Sequence, residues 1–129
     1  VVLASIIEKE TWRNSERPII ASVFHNRLGR NMRLQADPTV IYGLRTSGVS
    51  WAGNLKREHL RRRGPYNTYT RNGLPAGPIS NPGLETLRAA LKPAKTDYLF
   101  FVARRDGTHA FSTTLAEHNR AVRTHQLRR

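Results

Sequence analysis

The sequence predicts an α+β fold, several helices with a small antiparallel sheet in a single compact domain. Three observations carry that prediction. Apolar residues recur at helical spacing in several separate stretches; the clearest strand pair is joined by an Asp-Gly turn; and neither alternating βαβ units nor internal repeats occur. A length of 129 residues and a mass of 14.7 kDa match one domain, and 38% apolar residues are lean but enough for a core.

Leu3, Ile6, Ile7 and Glu10 fall at i, i+3, i+4 and i+7, so the chain from residue 1 to about residue 13 reads as an amphipathic helix. Asn14 and Ser15 punctuate it. Ser15 has the character of an N-cap, Pro18 suits a first turn, and Ile19, Ile20, Val23, Phe24 and Leu28 form a second stripe that ends at Gly29. Met32, Leu34 and Ala36 alternate with Arg33 and Gln35 like a short strand. Asp37-Pro38 then has the pattern of an N-cap and an N1 proline, opening a short helix through Tyr42 with Gly43 as its stop. Arg45 to Gly64 is polar and arginine-rich, with a weak helical pattern through Leu55 and Leu60.

Gly64 to Gly83 holds four Gly and four Pro, yet Tyr66, Tyr69, Leu74 and Ile79 make it too apolar for a flexible linker. It reads as a structured loop and, as such, a site candidate. Asn81-Pro82 opens a helix with Leu84, Leu87 and Leu91 inward, ending before Pro93. Tyr98 to Ala103 has strand composition, Asp106-Gly107 gives a hairpin turn, and His109 to Ser112 returns. Thr114 with Glu117 three residues on forms a capping box for a last helix that carries Leu115, His118 and Val122.

Composition removes several classes of function. The absence of cysteine excludes disulfides, thiolate zinc sites and cysteine nucleophiles, and five widely spaced His give no metal-site pattern. No metal and no cofactor are expected. The apolar runs fall far short of the roughly 20 residues of a membrane span, and no phosphate-binding, dinucleotide, serine-hydrolase or zinc-protease motif occurs. The basic side is 18 Arg with 4 Lys against nine carboxylates, for a net charge of +13, which points to an anionic partner or anionic surroundings. A helical pattern already under way at Val1, which is not Met, predicts a piece of a longer protein.

Nine carboxylates can be sorted one by one. Glu117 is a capping residue, Asp106 belongs to a turn, Glu16 and Glu85 suit first helical turns, Glu58 lies among arginines, and Asp97 lies between helix and strand. Glu8, Glu10 and Asp37 remain. At about 100° per residue Glu10 falls in the apolar stripe of the first helix and Glu8 on the other side. Desolvation on that stripe raises a carboxyl pKa, as a general acid near neutral pH requires, although a helix-end or arginine-paired Glu would show the same spacing. Asp37 is most simply an N-cap. Tyr66-Asn67-Thr68-Tyr69 combines aromatic faces with hydroxyl and amide groups, a mixture suited to sugars, while Arg61-Arg62-Arg63 could grip phosphates or form a solvated face.

Taken in order, Ala4-Ser5-Ile6-Ile7-Glu8-Lys9-Glu10-Thr11, Glu16-Arg17, Asn26-Arg27-Leu28, Met32-Arg33-Leu34-Gln35 and Asp37-Pro38-Thr39-Val40-Ile41-Tyr42-Gly43 closely resemble the YceG-like family of endolytic murein transglycosylases. The resemblance continues through Tyr66-Asn67-Thr68-Tyr69, Gly73-Leu74-Pro75, Asn81-Pro82-Gly83, Tyr98-Leu99-Phe100-Phe101-Val102 and His118-Asn119, nearly to the end of the chain. Ala76, His25 and the basic run Arg61 to Gly64 depart from the family pattern, which bears on substrate preference.

The resemblance implies a bacterial enzyme that cuts peptidoglycan glycan strands internally, leaves 1,6-anhydro ends and limits nascent glycan length. It implies an upstream membrane anchor, a catalytic domain on the outer side of the inner membrane, and peptidoglycan synthases as partners; nucleic acid is not expected. The family's catalytic glutamate matches Glu10, and the motifs assign Gln35, Asp37, Asn67, Thr68, Tyr69, Asn81 and Asn119 to substrate binding. The charge alone would also suit a nucleic-acid-binding domain, recognised by salt-sensitive duplex binding that survives Glu10→Gln, or a peptidoglycan-binding module that leaves strands uncut.

Overall fold

A computed structural model describes residues 1–49, 51 and 53–127. These residues form helices α1 (Val2–Glu10), α2 (Arg17–Gly29), α3 (Asp37–Thr46), α4 (Arg57–Arg61), α5 (Leu84–Leu91) and α6 (Leu115–Val122), with strands β1 (Phe100–Ala103) and β2 (His109–Ser112) between the last two helices. A π-helical turn, Arg123–Leu127, follows α6. The expected α+β class is the observed one. No helix among the described residues is long and apolar enough to cross a membrane.

Helix α2 is central because it is apolar on more than one side: α1, α5 and β1 all pack on it, and Ile20, Ala21, Val23 and Phe24 are fully or almost fully buried. Around them lie Ile6 and Ile7 of α1, Ala89 of α5, and Leu34 and Ile79 from irregular segments. Each large apolar side chain so enclosed contributes about 1.5–3 kcal/mol. Phe24 meets Phe101 edge to face at 5.7 Å, which seats the hairpin on the helices.

The hairpin has the expected turn, with Phe101 opposite Phe111 and Ala103 opposite His109. Gly107 is left-handed (φ +89°), and a Cβ there would lie 2.9 Å from the Trp12 ring, so both backbone and packing call for glycine. Arg13 Nε donates to Gly107 O at 3.0 Å and ties the turn to the end of α1. The capping box also forms: Glu117 N–H donates to Thr114 Oγ1 at 3.2 Å, and Thr114 N–H to Glu117 Oε1 at the same distance.

Several local expectations are corrected. Helix α1 ends at Glu10, because Thr11 turns extended and its hydroxyl accepts the Arg13 N–H. Glu16, not Ser15, precedes α2, held in place by a buried contact in which its carboxylate accepts the His109 backbone N–H (2.9 Å) and faces His109 Nδ1 (2.8 Å). Residues 32–36 form no strand: Gln35 is left-handed (φ 50°), and the Ala36 N–H goes to the Thr68 hydroxyl. Ala36 takes the N-cap position of α3, which frees Asp37 from capping, and the helix runs through Gly43 to Thr46 while Tyr42 packs on Tyr66.

Helix α5 is rotated from its expected setting. Thr86 and Ala89 face inward, while Leu84 and Leu91 are 62% and 83% exposed. The cause is polar: Glu8 Oε1 accepts both the Gly83 N–H (2.9 Å) and the Thr86 hydroxyl (2.8 Å), and that grip on the helix start turns Leu84 and Leu91 outward while Leu87 stays half-buried. Beyond the last residues of α3, Arg45 and Thr46, the arginine-rich stretch contains only the short helix α4 among its described residues, with positions 50 and 52 lying outside them. The loop from 64 to 83 is structured as expected: Asn67 Nδ2 donates to the Leu60 and Arg62 carbonyls, and Ile79 N–H to Ser5 Oγ on α1.

The Glu16–His109 contact predicts that Glu16→Ala destabilises the fold by about 3 kcal/mol, since it orphans a buried N–H and imidazole. Ser15→Ala should be nearly silent. Urea unfolding at neutral pH measures both, and a Glu16→Ala loss well under 1 kcal/mol would contradict this account.

Candidate active site

Glu10 sits at the last turn of α1, where the stripe of Leu3, Ile6 and Ile7 carries it inward. It opens into a cleft of about 670 Å³ bounded by α2, the start of α3, the hairpin and α6. Its carboxyl has no hydrogen-bond donor among the described residues, and the carbonyl end of a helix disfavours negative charge. Burial first, and then the Asp37 carboxylate, push its pKa up to about 8. At neutral pH it therefore holds its proton and faces open space.

Asp37 and Tyr69 form the facing wall. The Tyr69 hydroxyl donates to Asp37 Oδ1 at 2.6 Å. Burial, that hydrogen bond and the nearby carboxyls of Asp37 and Glu10 raise the phenol pKa, so Tyr69 stays a neutral donor. Gln35 also lines the cleft, brought there by its left-handed backbone. Asn119 lines it from α6.

The other sequence candidates lie elsewhere. Thr68 is fully buried behind Tyr69, where its hydroxyl accepts the Ala36 N–H (2.9 Å) and meets Thr39 Oγ1 (2.8 Å). Asn67 is buried as well, and its side-chain oxygen accepts the Tyr69 N–H at 2.8 Å. Both order the segments that carry Gln35, Asp37 and Tyr69 without lining the cleft. Asn81 is exposed ahead of α5 and outside the cleft wall.

Three titratable cleft residues have no role from the sequence. Arg27 is buried, donates from Nε to Leu99 O (2.6 Å) and from Nη1 to Arg33 O (2.8 Å), and lies 4.9 Å over the Phe100 ring. Its place in the second stripe, three and four residues after Phe24 and Val23, is the same signal that marks Glu10. His118 stacks on Phe100 at 5.0 Å, and burial together with Arg27 lowers its pKa, so the imidazole is neutral at pH 7. His109 borders the cleft with its Nδ1 side turned to Glu16, a tertiary pairing that no spacing announces. No group of three or more His, Asp or Glu suited to a metal occurs among the described residues.

The raised pKa of Glu10 sets a pH dependence of stability. The unfolded chain releases this proton near pH 4.5 and the folded chain near 8, so the stability present below 4.5 is lost as pH rises through about 8. Glu10→Gln should abolish that slope and leave the variant more stable than the parent at pH 9, by an amount on the order of a few kcal/mol. Thermal unfolding of both at pH 5 and pH 9 measures it; equal pH responses would contradict the assigned environment.

Comparison with known proteins places this geometry in a family. A family model described as the YceG-like family matches residues 1–124. The chain is 46% identical over 121 residues to a Bacillus subtilis (strain 168) protein named endolytic murein transglycosylase, covering 94% of this chain and 32% of that protein. It is 33% identical over 128 residues to a Streptococcus pneumoniae (serotype 2, strain D39) protein of the same name, covering 97% of this chain and 23% of that one. The crystal structure of a yceG-like protein from Listeria monocytogenes matches with a TM-score of 0.83 at 51% identity, over 92% of this chain and 38% of that chain. The chain thus spans about a third or less of the length of the curated relatives it matches. A match over nearly the whole chain, in sequence and in fold, makes it a member of the YceG-like family.

Proposed function

We propose that this chain carries the catalytic centre of an endolytic lytic transglycosylase, which breaks the β-1,4 bond between N-acetylmuramic acid and N-acetylglucosamine inside peptidoglycan strands. The observation that carries the reading is Glu10, a carboxyl that faces an open cleft with no hydrogen-bond partner among the described residues, and whose pKa burial pushes up to about 8. The names of the two relatives above support it.

In the first half of the reaction Glu10 gives its proton to the bridging oxygen, and the bond to the muramyl anomeric carbon breaks. In the second half the Glu10 carboxylate takes the proton of the muramyl 6-hydroxyl as that oxygen bonds to the same carbon. The acid is regenerated and the product ends in 1,6-anhydro-muramic acid, with no water consumed. An ordinary glycosidase would need a second carboxylate as nucleophile or base. Asp37 is the nearby one, and its Oδ1 is engaged by Tyr69, which favours a nucleophile already carried by the substrate.

Holding that hydroxyl over the anomeric carbon supplies much of the acceleration. Gln35, Asp37, Tyr69 and Asn119 are the groups we assign to this task, with Arg27 a fixed cation among them. Asn67 and Thr68 act on the substrate only through the backbone they order. Because peptidoglycan lies outside the cytoplasmic membrane, the reading puts this chain on that side, in a longer protein with an upstream anchor, working beside peptidoglycan synthases to limit strand length.

Glu10→Gln should lower cleavage of purified peptidoglycan by about 100-fold to 10,000-fold, with the remaining products unchanged in kind. Mass spectrometry of wild-type digests should find new ends lighter by one water; hydrated reducing ends would overturn the transglycosylase reading. The activity of the parent should fall as pH rises through about 8. Asp37→Asn should move that alkaline limb to lower pH, because it removes a charge that raises the Glu10 pKa; a limb that stays in place would contradict the coupling.

A further inference from the structure

The arginine run that the proposed reaction leaves unused lies beside the cleft. Arg61 at the end of α4 and Arg63 just beyond it share a shallow groove of about 360 Å³ with Arg33, Leu60, Tyr69 and Thr70. Tyr69 lines both this groove and the cleft, so the two adjoin at that side chain. Arg33 is held in place, its Nη1 donating to Tyr69 O at 3.0 Å and its Nε reaching Asn72 Oδ1 at 3.4 Å.

Among the described residues these cations have no anionic partner of their own. The ion pairs among the described residues are Arg17–Glu8, Arg88–Glu85 and His109–Glu16, and none lies in the groove. Like charges gathered at one place repel, and a guanidinium fork matches a carboxylate through two parallel hydrogen bonds. An external carboxylate would satisfy both demands.

We infer that the groove binds carboxylates of the peptide stem on the glycan strand being cut. This rests on the proposed function, which puts a muramyl unit at Glu10. In that substrate the anionic groups hang from the muramyl unit on its lactyl-peptide arm, and the cation cluster that adjoins the cleft at Tyr69 offers them charges of opposite sign. Arg33, Arg61 and Arg63 then select strands that carry stems over strands stripped of them.

The test measures binding with the Glu10→Gln chain, which leaves strands uncut, on strands of matched length with intact stems or with stems removed by an amidase. Stem removal should weaken binding about tenfold, an effect that fades at high salt. Adding Arg61→Gln and Arg63→Gln should weaken binding to intact strands by a similar factor and leave stripped strands unaffected. Both side chains are exposed, so the melting temperature should not move, and the paired lysine variants should restore part of the loss. Equal weakening on both strands, or none on either, would overturn the proposal. So would a double variant that keeps its preference for stems but loses binding to inorganic polyphosphate, which would assign the arginines to a phosphate polymer. Cleavage by the unsubstituted chain is followed separately: intact strands left uncut would sink the transglycosylase reading, whatever the binding difference shows.

Discussion

Two carboxyls two residues apart on α1 have opposite surroundings, and the site depends on that contrast. Glu8 accepts the Gly83 N–H and the Thr86 hydroxyl and lies 3.5 Å from Arg17, so its pKa is lowered and its charge is held at the start of α5. Glu10 receives no donor among the described residues and sits on the apolar stripe at the carbonyl end of the same helix. About 200° separates them around the axis, so one helix carries an ionised clamp on one side and a protonated acid on the other. The clamp binds α1 to α5 and thereby holds the end that presents Glu10.

The opposite wall is built from behind. Thr39 and Thr68 share a buried hydroxyl contact, and Thr68 takes the Ala36 N–H just ahead of α3. Asn67 then takes the Tyr69 N–H two residues on. The result is that Asp37 and Tyr69 meet at 2.6 Å facing Glu10, and the Asp37 carboxylate raises the proton affinity of both Tyr69 and Glu10. Side chains that never line the cleft thus fix the hydrogen-bonding state of those that do.

Much of this was legible in the sequence because it is local. The stripe of α1, the Asp106-Gly107 turn and the Thr114–Glu117 box depend on neighbours within a few positions, and the same stripe singled out Glu10. What was not legible depends on partners far away in the chain. Leu84 and Leu91 point outward because Glu8, 78 residues before Thr86, claims that hydroxyl. Glu16 leaves its expected first-turn role for His109, 93 residues on. The alternation of residues 32–36 suits a strand, but among the described residues no strand lies beside it, and Thr68 takes its backbone instead. Arg27 carried a readable signal, a charge within an apolar stripe, that was as informative as the one at Glu10.

Membership in the YceG-like family and the state of one carboxyl jointly support the enzymatic reading, and the second can be observed without any substrate. The direct measurement is the infrared spectrum of the wild-type chain minus that of Glu10→Gln, recorded from pH 5 to pH 10. The account predicts a protonated carboxyl band that is intact at pH 7 and gives way to a carboxylate as pH passes about 8. A carboxylate already present at pH 6 would contradict it.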